Sequence, residues 1–457
     1  MLIPGNLIRK YSIPGPRYTS YPTVPYWDAV PAPGFFGPGW LDHMASAIGA
    51  NARKGIGASI YVHIPFCRSI CAYCGCNTRL TRDNSQVGPY IDALHSELDL
   101  YCRAGTFRLS ELHIGGGSPT FLPPPEMARL IDGILDRVDA NTDAGLSAEA
   151  DPRTTTREHL EVLAARGFRR ISFGVQDLDP AVQQLIGRIQ GEDLVRRVTL
   201  WARELGFTSI NFDLIHGLPA QTTASIERTM AATRELRPDR IAFYANAYVP
   251  WLKPHQKKYS EKDLPSPELR RTLYEYGRTA LENAGYLEIG MDHFALGHDA
   301  LWLSFQSRRL HRNFMGYTPR FVSPLIGLGV SSIGDTWNAF AQNEKVLEPY
   351  MAAVLGKKLP LVRGHELDSE DLVLRRHILN LMTRYETDWS DEKAHTPYLD
   401  LVGEKLSGLS RDGLVVPGPS SCAVTETGRA FLRNICMAFD ARLARKSPDR
   451  DVFSKTT

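Results

Sequence analysis

The sequence predicts an α/β protein: a partial (β/α)6 barrel with an extended N-terminal arm and a mostly helical, winged-helix-like C-terminal domain. Three observations predict this fold. Short β-branched segments alternate with amphipathic segments from about residue 58, polar or glycine-rich residues end each short segment, and a helical pattern with a hairpin follows after about residue 365.

The predicted strands and helices alternate at spacings near thirty residues, which is typical of parallel βαβ units. The strands are ASIYVHI (58–64), SELHI (110–114), GLSAEA (145–150), RRISFGV (169–175), SINFDLI (209–215) and DRIAFYA (239–245). The helices lie near residues 86–104, 124–138, 155–166, 191–205, 222–236 and 267–284. Six such units fit either a doubly wound sheet or a barrel that stops short of eight strands.

The ends of the predicted strands favour the barrel. A cysteine-rich loop follows the first strand, and glycines at 115–117 follow the second. The other four strands end in Glu149 and Asp151, Gln176 and Asp177, Asp213 and His216, and Tyr244 and Asn246. Because the carboxyl ends of barrel strands surround one mouth, we expect these groups to converge. Exposure of strand ends to solvent explains one or two such positions more easily than six.

The chain is predicted to divide into four parts. They are an extended arm with the first helices (1–57), the barrel (58–300), a loop region that closes it (301–360) and the C-terminal domain (361–457). Pro, Tyr and Gly residues in 11–40 predict an arm draped over the body, and GMDHFALGHDAL and HRNFMGYTPRF predict irregular loops. The hairpin and helix that begin at DGLVV (412–416) indicate a packing module rather than a DNA-binding domain, because a basic surplus is missing.

Composition limits the partners and the compartment. The 457 residues are 43% hydrophobic and 23% charged with a net charge of +2, so charge gives no argument for nucleic acid or an anionic membrane. No stretch has the apolar length of a signal peptide or a membrane span. Seven cysteines, an odd number, do not suit a secreted disulfide framework. We therefore expect a cytoplasmic protein whose clustered cysteines bind a metal or serve redox chemistry.

The stretch HIPFCRSICAYCGCN carries four of the seven cysteines, with the spacing C-x3-C-x2-C followed by a fourth cysteine. Thiolates select zinc, copper(I) or iron–sulfur clusters. Zinc sites usually add a second C-x2-C or His pair at a distance, and none is present, so an iron–sulfur site is favoured over zinc. Cys67, Cys71 and Cys74 are placed to reach three irons of a cubane and leave one iron open, while Cys76 is expected to point elsewhere.

The C-x3-C-x2-C loop after the first strand, with Tyr73 before the third cysteine and three glycines after the second strand, resembles the radical S-adenosylmethionine superfamily. A phosphate-binding loop is the alternative for the glycines, but no Lys-Ser/Thr follows them. Further segments are similar to the oxygen-independent coproporphyrinogen III oxidase (coproporphyrinogen dehydrogenase) family from about residue 10 to residue 445. They are GPRYTSYPT, YVHIPFC, CGCN, GGGSPT, GVQD, DLIHGLPAQT, GMDHFA, LHRNFMGYT and GRAFLRNICMAFD.

The resemblance implies an oxidoreductase of porphyrin and haem biosynthesis. Cys67, Cys71 and Cys74 would hold a [4Fe-4S] cluster whose open iron is chelated by S-adenosylmethionine. An electron from the cluster would cleave this cofactor to a 5′-deoxyadenosyl radical, which takes a hydrogen from a propionate β-carbon. Loss of carbon dioxide and one electron would leave a vinyl group, so that coproporphyrinogen III becomes protoporphyrinogen IX.

The resemblance also implies cofactor-binding residues, for two S-adenosylmethionine molecules per chain. Around the first molecule it places Tyr61, Gly116, Gly117, Ser118, Glu149, Gln176, Arg188, Asp213, Ala247 and Ile333. Glu149 and Asp213 would bind adenosine hydroxyls or the methionine ammonium, and Arg188 the methionine carboxylate. Around the second it places Tyr73, Cys76, Tyr244, Phe314 and Met315. Met315 departs from the Gln that is often found there, and a methionine cannot donate the hydrogen bonds of an amide.

The implied substrate is a tetrapyrrole with four carboxylates, and Arg17 and Arg312 beside aromatic residues are candidate partners for them. The implied electron donor is a protein such as flavodoxin or ferredoxin, and a monomer is expected. Two other functions remain open: a related radical enzyme that transfers a methyl or methylene group to a tetrapyrrole, and a non-enzymatic haem chaperone. Cys76 and GPRYTSYPT argue against the chaperone. A zinc-loop binding protein is a more distant alternative.

Overall fold

The computed structural model describes residues 3–29, 34–446, 448 and 452–456. Its centre is one sheet, to which the described residues contribute twelve strands. In chain order the strands are β1 (Ala58–Ile64), β2 (Arg108–Gly116), β3 (Asp139–Ala150), β4 (Arg170–Gln176), β5 (Ser209–His216), β6 (Arg240–Ala245), β7 (Leu287–Gly290), β8 (His293–Ala295), β9 (Leu325–Leu328), β10 (Ile333–Asp335), β11 (Ala339–Asn343) and β12 (Leu361–Glu366). Their spatial order is β12-β11-β10-β9-β1-β2-β3-β4-β5-β6-β8-β7.

The six predicted strands, β1 to β6, pair in parallel and in sequential order. Tyr61 stands opposite His113, which stands opposite Ser147, so the carboxyl ends of β1, β2 and β3 lie at one edge. The predicted partial barrel with its C-terminal helical domain is confirmed. The sheet has more strands than predicted at both sides, because β9 pairs with β1 in parallel and β8 pairs with β6 in antiparallel orientation.

The prediction of irregular loops is wrong for two segments, which contain strands and part of a helix. GMDHFALGHDAL contains β8 and the start of helix Ala300–Gln306, and HRNFMGYTPRF folds into an antiparallel hairpin of His311–Asn313 with Gly316–Thr318. Strands of three residues are too short to show an alternating pattern. Such strands form because of the segments with which they pair, which are distant in sequence or joined by a turn, and not because of their own sequence pattern.

The six predicted helices are present between the barrel strands, and local capping explains several of their starts. Thr156 and Thr222 form capping boxes, and Asp179 and Ser266 cap helices that begin with a proline. The α-helices are Gly5–Tyr11, Trp40–Ala52, Val87–Cys102, Pro124–Leu135, Arg157–Ala165, Pro180–Ile186, Glu192–Glu204, Thr223–Leu236, Pro267–Asn283, Ala300–Gln306, Leu347–Leu355, Ser369–Arg384, Pro397–Arg411, Glu426–Arg429, Leu432–Ala438 and Ala441–Arg445. Among the described residues, no helix is both long and apolar enough to cross a membrane.

The C-terminal domain has the predicted winged-helix-like order. Helices Ser369–Arg384 and Pro397–Arg411 flank the strand Glu386–Asp388, which pairs with the hairpin Val415–Gly418 and Ser421–Val424. The domain has a hydrophobic core of its own, and two tyrosines of the N-terminal arm, Tyr18 and Tyr21, are buried in it. The arm therefore joins the domain to the barrel.

The arm is anchored by named hydrogen bonds. The hydroxyl of Tyr18 donates to Asp440 at 3.0 Å, and that of Tyr26 donates to the carbonyl of Lys446 at 2.8 Å. Residues 30–33 of the predicted arm lie outside the described residues. The division of the chain into four parts stays a prediction.

Candidate functional site

The cysteine loop leaves the sheet at the carboxyl end of β1. Phe66–Cys67 and Arg79–Leu80 pair as a short parallel ladder, and the N–H of Thr81 donates to the carbonyl of Cys67 at 3.0 Å. The ladder closes the loop on itself, so the residues between Cys67 and Arg79 form one compact turn above the mouth of the barrel.

The three predicted cluster ligands border one cavity of about 160 Å³ at the carboxyl ends of β1 to β5. Twelve of the predicted site residues line it: Cys67, Cys71, Tyr73, Cys74, Cys76, Gly116, Gly117, Ser118, Glu149, Gln176, Arg188 and Asp213. The polar ends of the strands converge here in part: Glu149, Asp151, Gln176 and Asp213 line this cavity. Asp177, His216, Tyr244 and Asn246, which were expected to join them, are not among the described residues that line it. Cys76 lines the same cavity, and the expectation that it points away from the cluster stays a prediction.

Three side chains of the segment after β6 hold the carbonyl groups of the cysteine loop. Lys253 Nζ donates to the carbonyl of Cys76 at 2.8 Å, and His255 Nε2 lies 2.7 Å from the carbonyl oxygen of Cys74. Gln256 Nε2 donates to the carbonyl of Tyr73 at 3.0 Å. We call Lys253, His255 and Gln256 the loop clamp. Sequence analysis missed them, because WLKPHQKK has no motif that points to a loop 180 residues earlier.

The glycines after β2 leave space that any side chain would fill. Gly116 has a φ of +120°, and a Cβ there would lie 2.8 Å from the carbonyl oxygen of Ile64. A Cβ at Gly117 would lie 2.7 Å from the carbonyl oxygen of Pro65 and 3.0 Å from the sulfur of Cys67. The backbone of this turn therefore approaches the cysteine loop more closely than other residues allow.

Glu149 is the acidic side chain nearest to the glycines. It accepts a hydrogen bond from the N–H of Gly116 at 3.0 Å, and its other oxygen lies 3.3 Å from His113 Nε2. Burial raises its pKa, but the hydrogen bond and charge of His113, with the Gly116 N–H, outweigh burial and hold the pKa below its ordinary value. Glu149 is therefore an anion at neutral pH, with 40% of its side chain open to the cavity.

Asp213 lines the same cavity as Glu149, and its pKa is shifted in the opposite direction. Burial and repulsion by Glu149 raise the pKa of Asp213 to about 6, although Ser172 and Asn211 donate hydrogen bonds to it at 3.0 and 2.8 Å. The site thus presents one carboxylate that stays charged and a second that titrates close to neutrality.

Arg188 lies beside Cys71 but is already paired. Its terminal nitrogens are 3.2 Å from both oxygens of Asp151 and 2.6 Å from the carbonyl oxygen of Gly174, and Nη1 is 3.6 Å from the sulfur of Cys71. Arg153, which sequence analysis missed, also donates to Asp151 at 2.7 Å and lies 3.8 Å from that sulfur. Two guanidinium groups therefore adjoin one predicted ligand, and the buried Nε of Arg188 has no hydrogen-bond partner among the described residues.

A second cavity of about 160 Å³ runs through the interior of the barrel. It shares Glu149, Ser172 and Asp213 with the first cavity, and Tyr244 and Met315 line it as well. Two of the five residues predicted around a second cofactor therefore face this interior, and Tyr73 and Cys76 face the first cavity.

Four residues predicted around the two cofactors are not among the described residues that line either cavity: Tyr61, Ala247, Phe314 and Ile333. Tyr61 stacks on His113 with ring centroids 5.9 Å apart, and a Cβ at Gly115 would lie 3.1 Å from its ring. The carbonyl of Ala247 accepts a hydrogen bond from Gln256 at 3.0 Å. Phe314 and Ile333 pack instead on the cluster of Trp27 and Phe340, under the N-terminal arm.

The donor set fits an iron–sulfur cluster better than a single ion. Cys67, Cys71 and Cys74 offer three thiols around one cavity. Zinc requires its ligands to converge on one point, whereas a cubane offers separate irons to thiols that are spread around a cavity. The three thiols, the glycine turn and the two guanidinium groups agree with such a cluster.

The comparisons with known proteins agree with this geometry. Residues 61–232 match the model of the Radical SAM superfamily. The oxygen-independent coproporphyrinogen III oxidase of Escherichia coli (strain K12) is 38% identical over 449 residues, which cover 96% of each chain. That of Synechocystis sp. is 36% identical and covers 99% of this chain and 97% of its own. The solved structure of coproporphyrinogen III oxidase from Escherichia coli superposes with a TM-score of 0.87 at 36% identity, over 97% of this chain and 100% of that one.

The barrel, its three-cysteine loop and the superfamily match define the class of protein as a radical S-adenosylmethionine enzyme. Within that class, the chain belongs to the oxygen-independent coproporphyrinogen III oxidase family. The family predicted from the sequence is confirmed.

Proposed function

We propose that the chain converts coproporphyrinogen III to protoporphyrinogen IX by oxidative decarboxylation of two propionates, without oxygen, in haem biosynthesis. One observation carries the proposal: Cys67, Cys71 and Cys74 border one cavity with Glu149 and Asp213. Full-length similarity to enzymes of that name supports it.

Cys67, Cys71 and Cys74 would hold a [4Fe-4S] cluster, and S-adenosylmethionine would bind beside it. Once bound, these cofactors supply a 5′-deoxyadenosyl radical that removes a hydrogen atom from the substrate. The loop clamp would fix the ligands by holding the carbonyls of Tyr73, Cys74 and Cys76. The adjacent guanidinium groups of Arg153 and Arg188 would stabilise the thiolate of Cys71 by their charge.

The acidic groups would recognise the cofactor. Glu149, ionised at neutral pH, would accept hydrogen bonds from the ribose hydroxyls or pair with the methionine ammonium. Asp213 would do so in its ionised form, and Gly116, Gly117 and Ser118 would allow the backbone close approach. Arg188 would use its unpaired Nε for the methionine carboxylate, because Asp151 occupies both of its terminal nitrogens.

A second S-adenosylmethionine would lie in the barrel cavity, next to Tyr244 and Met315. The two cavities share Glu149 and Asp213, so the two molecules would be neighbours. Because the thioether of Met315 donates no hydrogen bond, we expect the second molecule to bind more weakly than it would beside the Gln that is often found at this position.

The substrate would enter at the mouth under the N-terminal arm and the C-terminal domain, which would exclude water from the radical. Arg17 and Arg312 would meet its carboxylates. Each reacting propionate gives up one hydrogen atom, one carbon dioxide and one electron, so that –CH2–CH2–COO⁻ becomes –CH=CH2. A one-electron acceptor takes that electron. A flavodoxin or ferredoxin would reduce the cluster, and we propose that the enzyme is a cytoplasmic monomer.

An anaerobic turnover assay tests the proposal. The reconstituted protein is mixed with S-adenosylmethionine, a reductant, an electron acceptor and coproporphyrinogen III, and the products are identified by mass spectrometry. We expect loss of two carboxyl groups with formation of 5′-deoxyadenosine. A gained methyl group with S-adenosylhomocysteine would indicate methyl transfer instead, and an unchanged tetrapyrrole that stays bound would indicate a chaperone.

A further inference from the structure

A third cavity, of about 70 Å³, lies where the ends of β5 and β6 meet helix Pro267–Asn283, the N-terminal arm and the C-terminal domain. We call it the arginine pocket, because Arg17, Arg270, Arg271 and Arg433 are among its lining residues. As the described residues form it, the pocket shares no lining residue with the cluster cavity or the barrel cavity.

Most of the acidic side chains around this pocket already form ion pairs. Glu275 pairs with Arg271 and Arg278, and Glu288 and Glu426 pair with Arg429. In contrast, no ion pair among the described residues involves the guanidinium groups of Arg17, Arg270, Arg312 and Arg433. Arg17 and Arg433 bond to backbone carbonyls, and Arg270 and Arg312 have buried nitrogens without a partner in that part of the chain. The carboxyl group left facing them is that of Asp292, which is close to Arg17, Arg312 and Arg433. The pocket therefore carries an excess of positive charge.

Arg270, which lines the pocket, has hydrogen-bonding capacity that the described residues do not use. Its Nε and Nη2 atoms are buried and lack a partner in the described part of the chain. Its stem packs on Gly217, where a Cβ would lie 2.6 Å from Arg270 Cδ. Burial and the charge of Arg17 lower the pKa of Arg270 to about 10. A buried, unpaired guanidinium is costly, and an anionic ligand removes that cost.

A row of arginines connects the pocket with the interior of the barrel. Arg312 lies 4.6 Å above the ring of Tyr317, which lines the barrel cavity. Its Nη2 points to the carbonyl of Arg17 at 3.5 Å, and its Nε and Nη1 are buried without partners among the described residues. Arg17 in turn donates to the carbonyl of Ala245 at 2.8 Å, at the end of β6.

We propose that the arginine pocket binds a propionate that does not react, one of the two that the tetrapyrrole retains in the product, with Arg270 and Arg17 as its hydrogen-bond donors. The identity of the ligand rests on the proposed function. Carboxylates suit paired guanidinium groups, and a tetrapyrrole carries its propionates around its edge. One propionate can therefore be held here while another reaches the cluster cavity.

The test measures binding of three stable porphyrins to the full-length, reconstituted protein by fluorescence. They are coproporphyrin III, protoporphyrin IX with the two retained propionates, and the tetramethyl ester of coproporphyrin III. We expect Arg270→Gln to weaken binding of both acids at least tenfold and to leave the ester unchanged, because truncating a buried charged donor removes its interaction with a carboxylate. Arg234→Gln, on an exposed arginine of a neighbouring helix, is the matched control and should leave all three unchanged.

A second variant has the opposite expected sign. Asp292→Asn removes the carboxyl group that competes with the ligand, so both acids should bind at least threefold more tightly and the ester as before. Misfolding does not produce such a gain. Equal losses for acids and ester in Arg270→Gln, unchanged acid binding, or weaker acid binding in Asp292→Asn would each overturn the proposal. Weaker binding of coproporphyrin alone would overturn the assignment to a retained propionate.

The binding test and the turnover assay can fail separately, so a wrong pocket assignment is distinguishable from a wrong function. If the wild type decarboxylates coproporphyrinogen III but Arg270→Gln binds both acids normally, the pocket assignment is wrong and the function stands. If binding depends on Arg270 but no vinyl product forms, the function is wrong and the pocket still binds carboxylates of a tetrapyrrole.

Discussion

The N–H of Gly116 and the carboxylate of Glu149 form a hydrogen bond of 3.0 Å that joins the glycine turn after β2 to the end of β3. A side chain at Gly115 would lie 2.9 Å from the other oxygen of Glu149, so the carboxylate is held between two glycines. This contact fixes an anion beside the cysteine loop, which is a form of preorganisation.

The first prediction concerns this carboxylate. Glu149→Ala removes an anion that we propose binds S-adenosylmethionine, and its dissociation constant should rise at least tenfold, since charged hydrogen bonds contribute about 1.5–3 kcal/mol. Glu149→Gln keeps an acceptor for the N–H of Gly116, so its dissociation constant should rise less than that of Glu149→Ala. Titration calorimetry on the reconstituted protein measures both, with the exposed Glu158→Gln as control. Normal affinity in Glu149→Ala would remove this residue from the cofactor site.

The second prediction separates the four loop cysteines. Cys67→Ala, Cys71→Ala and Cys74→Ala should each abolish the broad absorbance near 400 nm and lower the iron content of anaerobically reconstituted protein. Cys76→Ala should retain both, although Cys76 lines the same cavity. Cys102→Ala, away from the loop, is the control. A Cys76 variant without iron would show that the ligand assignment is wrong.

The fold and the cluster loop were predictable because their signals are local. Strands of six to twelve residues and their helices show clear periodicity, and C-x3-C-x2-C lies within one turn of chain. The loop clamp, Arg153 and Arg270 were not predictable, because each acts on a segment far away in the sequence. A lysine, histidine or arginine on an irregular segment or a helix face has the same local pattern whether it faces solvent or a distant carbonyl.

The third prediction tests the loop clamp. His255→Ala removes the donor to the carbonyl of Cys74 and should make the cluster more labile, with a several-fold faster loss of iron to a chelator, because one hydrogen bond contributes about 1 kcal/mol. His255 and Lys257 lie on one short 3-10 helix, Pro254–Lys258, and Lys257→Ala, on an exposed residue of it, should not change the rate. The rate is followed as anaerobic bleaching near 400 nm. Equal rates in both variants would assign the clamp no part in holding the cluster.

The fourth prediction is a pH dependence of stability at a buried carboxyl. Glu97 accepts hydrogen bonds from Tyr350, Asn343 and the N–H of Gly329 at 2.6, 2.6 and 2.8 Å, yet burial raises its pKa from 4.5 to about 7. The folded protein therefore binds a proton that the unfolded chain releases between these pH values, so this contribution is present below pH 4.5 and is lost as the pH rises to about 7.

Glu97→Gln removes that titration, and its melting temperature should fall less than that of the wild type between pH 5 and pH 8. The full effect corresponds to about 3 kcal/mol. Calorimetry of the metal-free protein gives the comparison. Identical changes in both proteins would show that Glu97 does not titrate in this range.

The central claim is that a radical formed beside Cys67, Cys71 and Cys74 removes hydrogen from a propionate. The most direct measurement uses coproporphyrinogen III deuterated at the β-carbons of its propionates, in an anaerobic reaction analysed by mass spectrometry. We predict deuterium in the 5′-deoxyadenosine that is released, together with a divinyl product. Unlabelled 5′-deoxyadenosine beside an unchanged tetrapyrrole, or S-adenosylhomocysteine beside a methylated one, would contradict the claim.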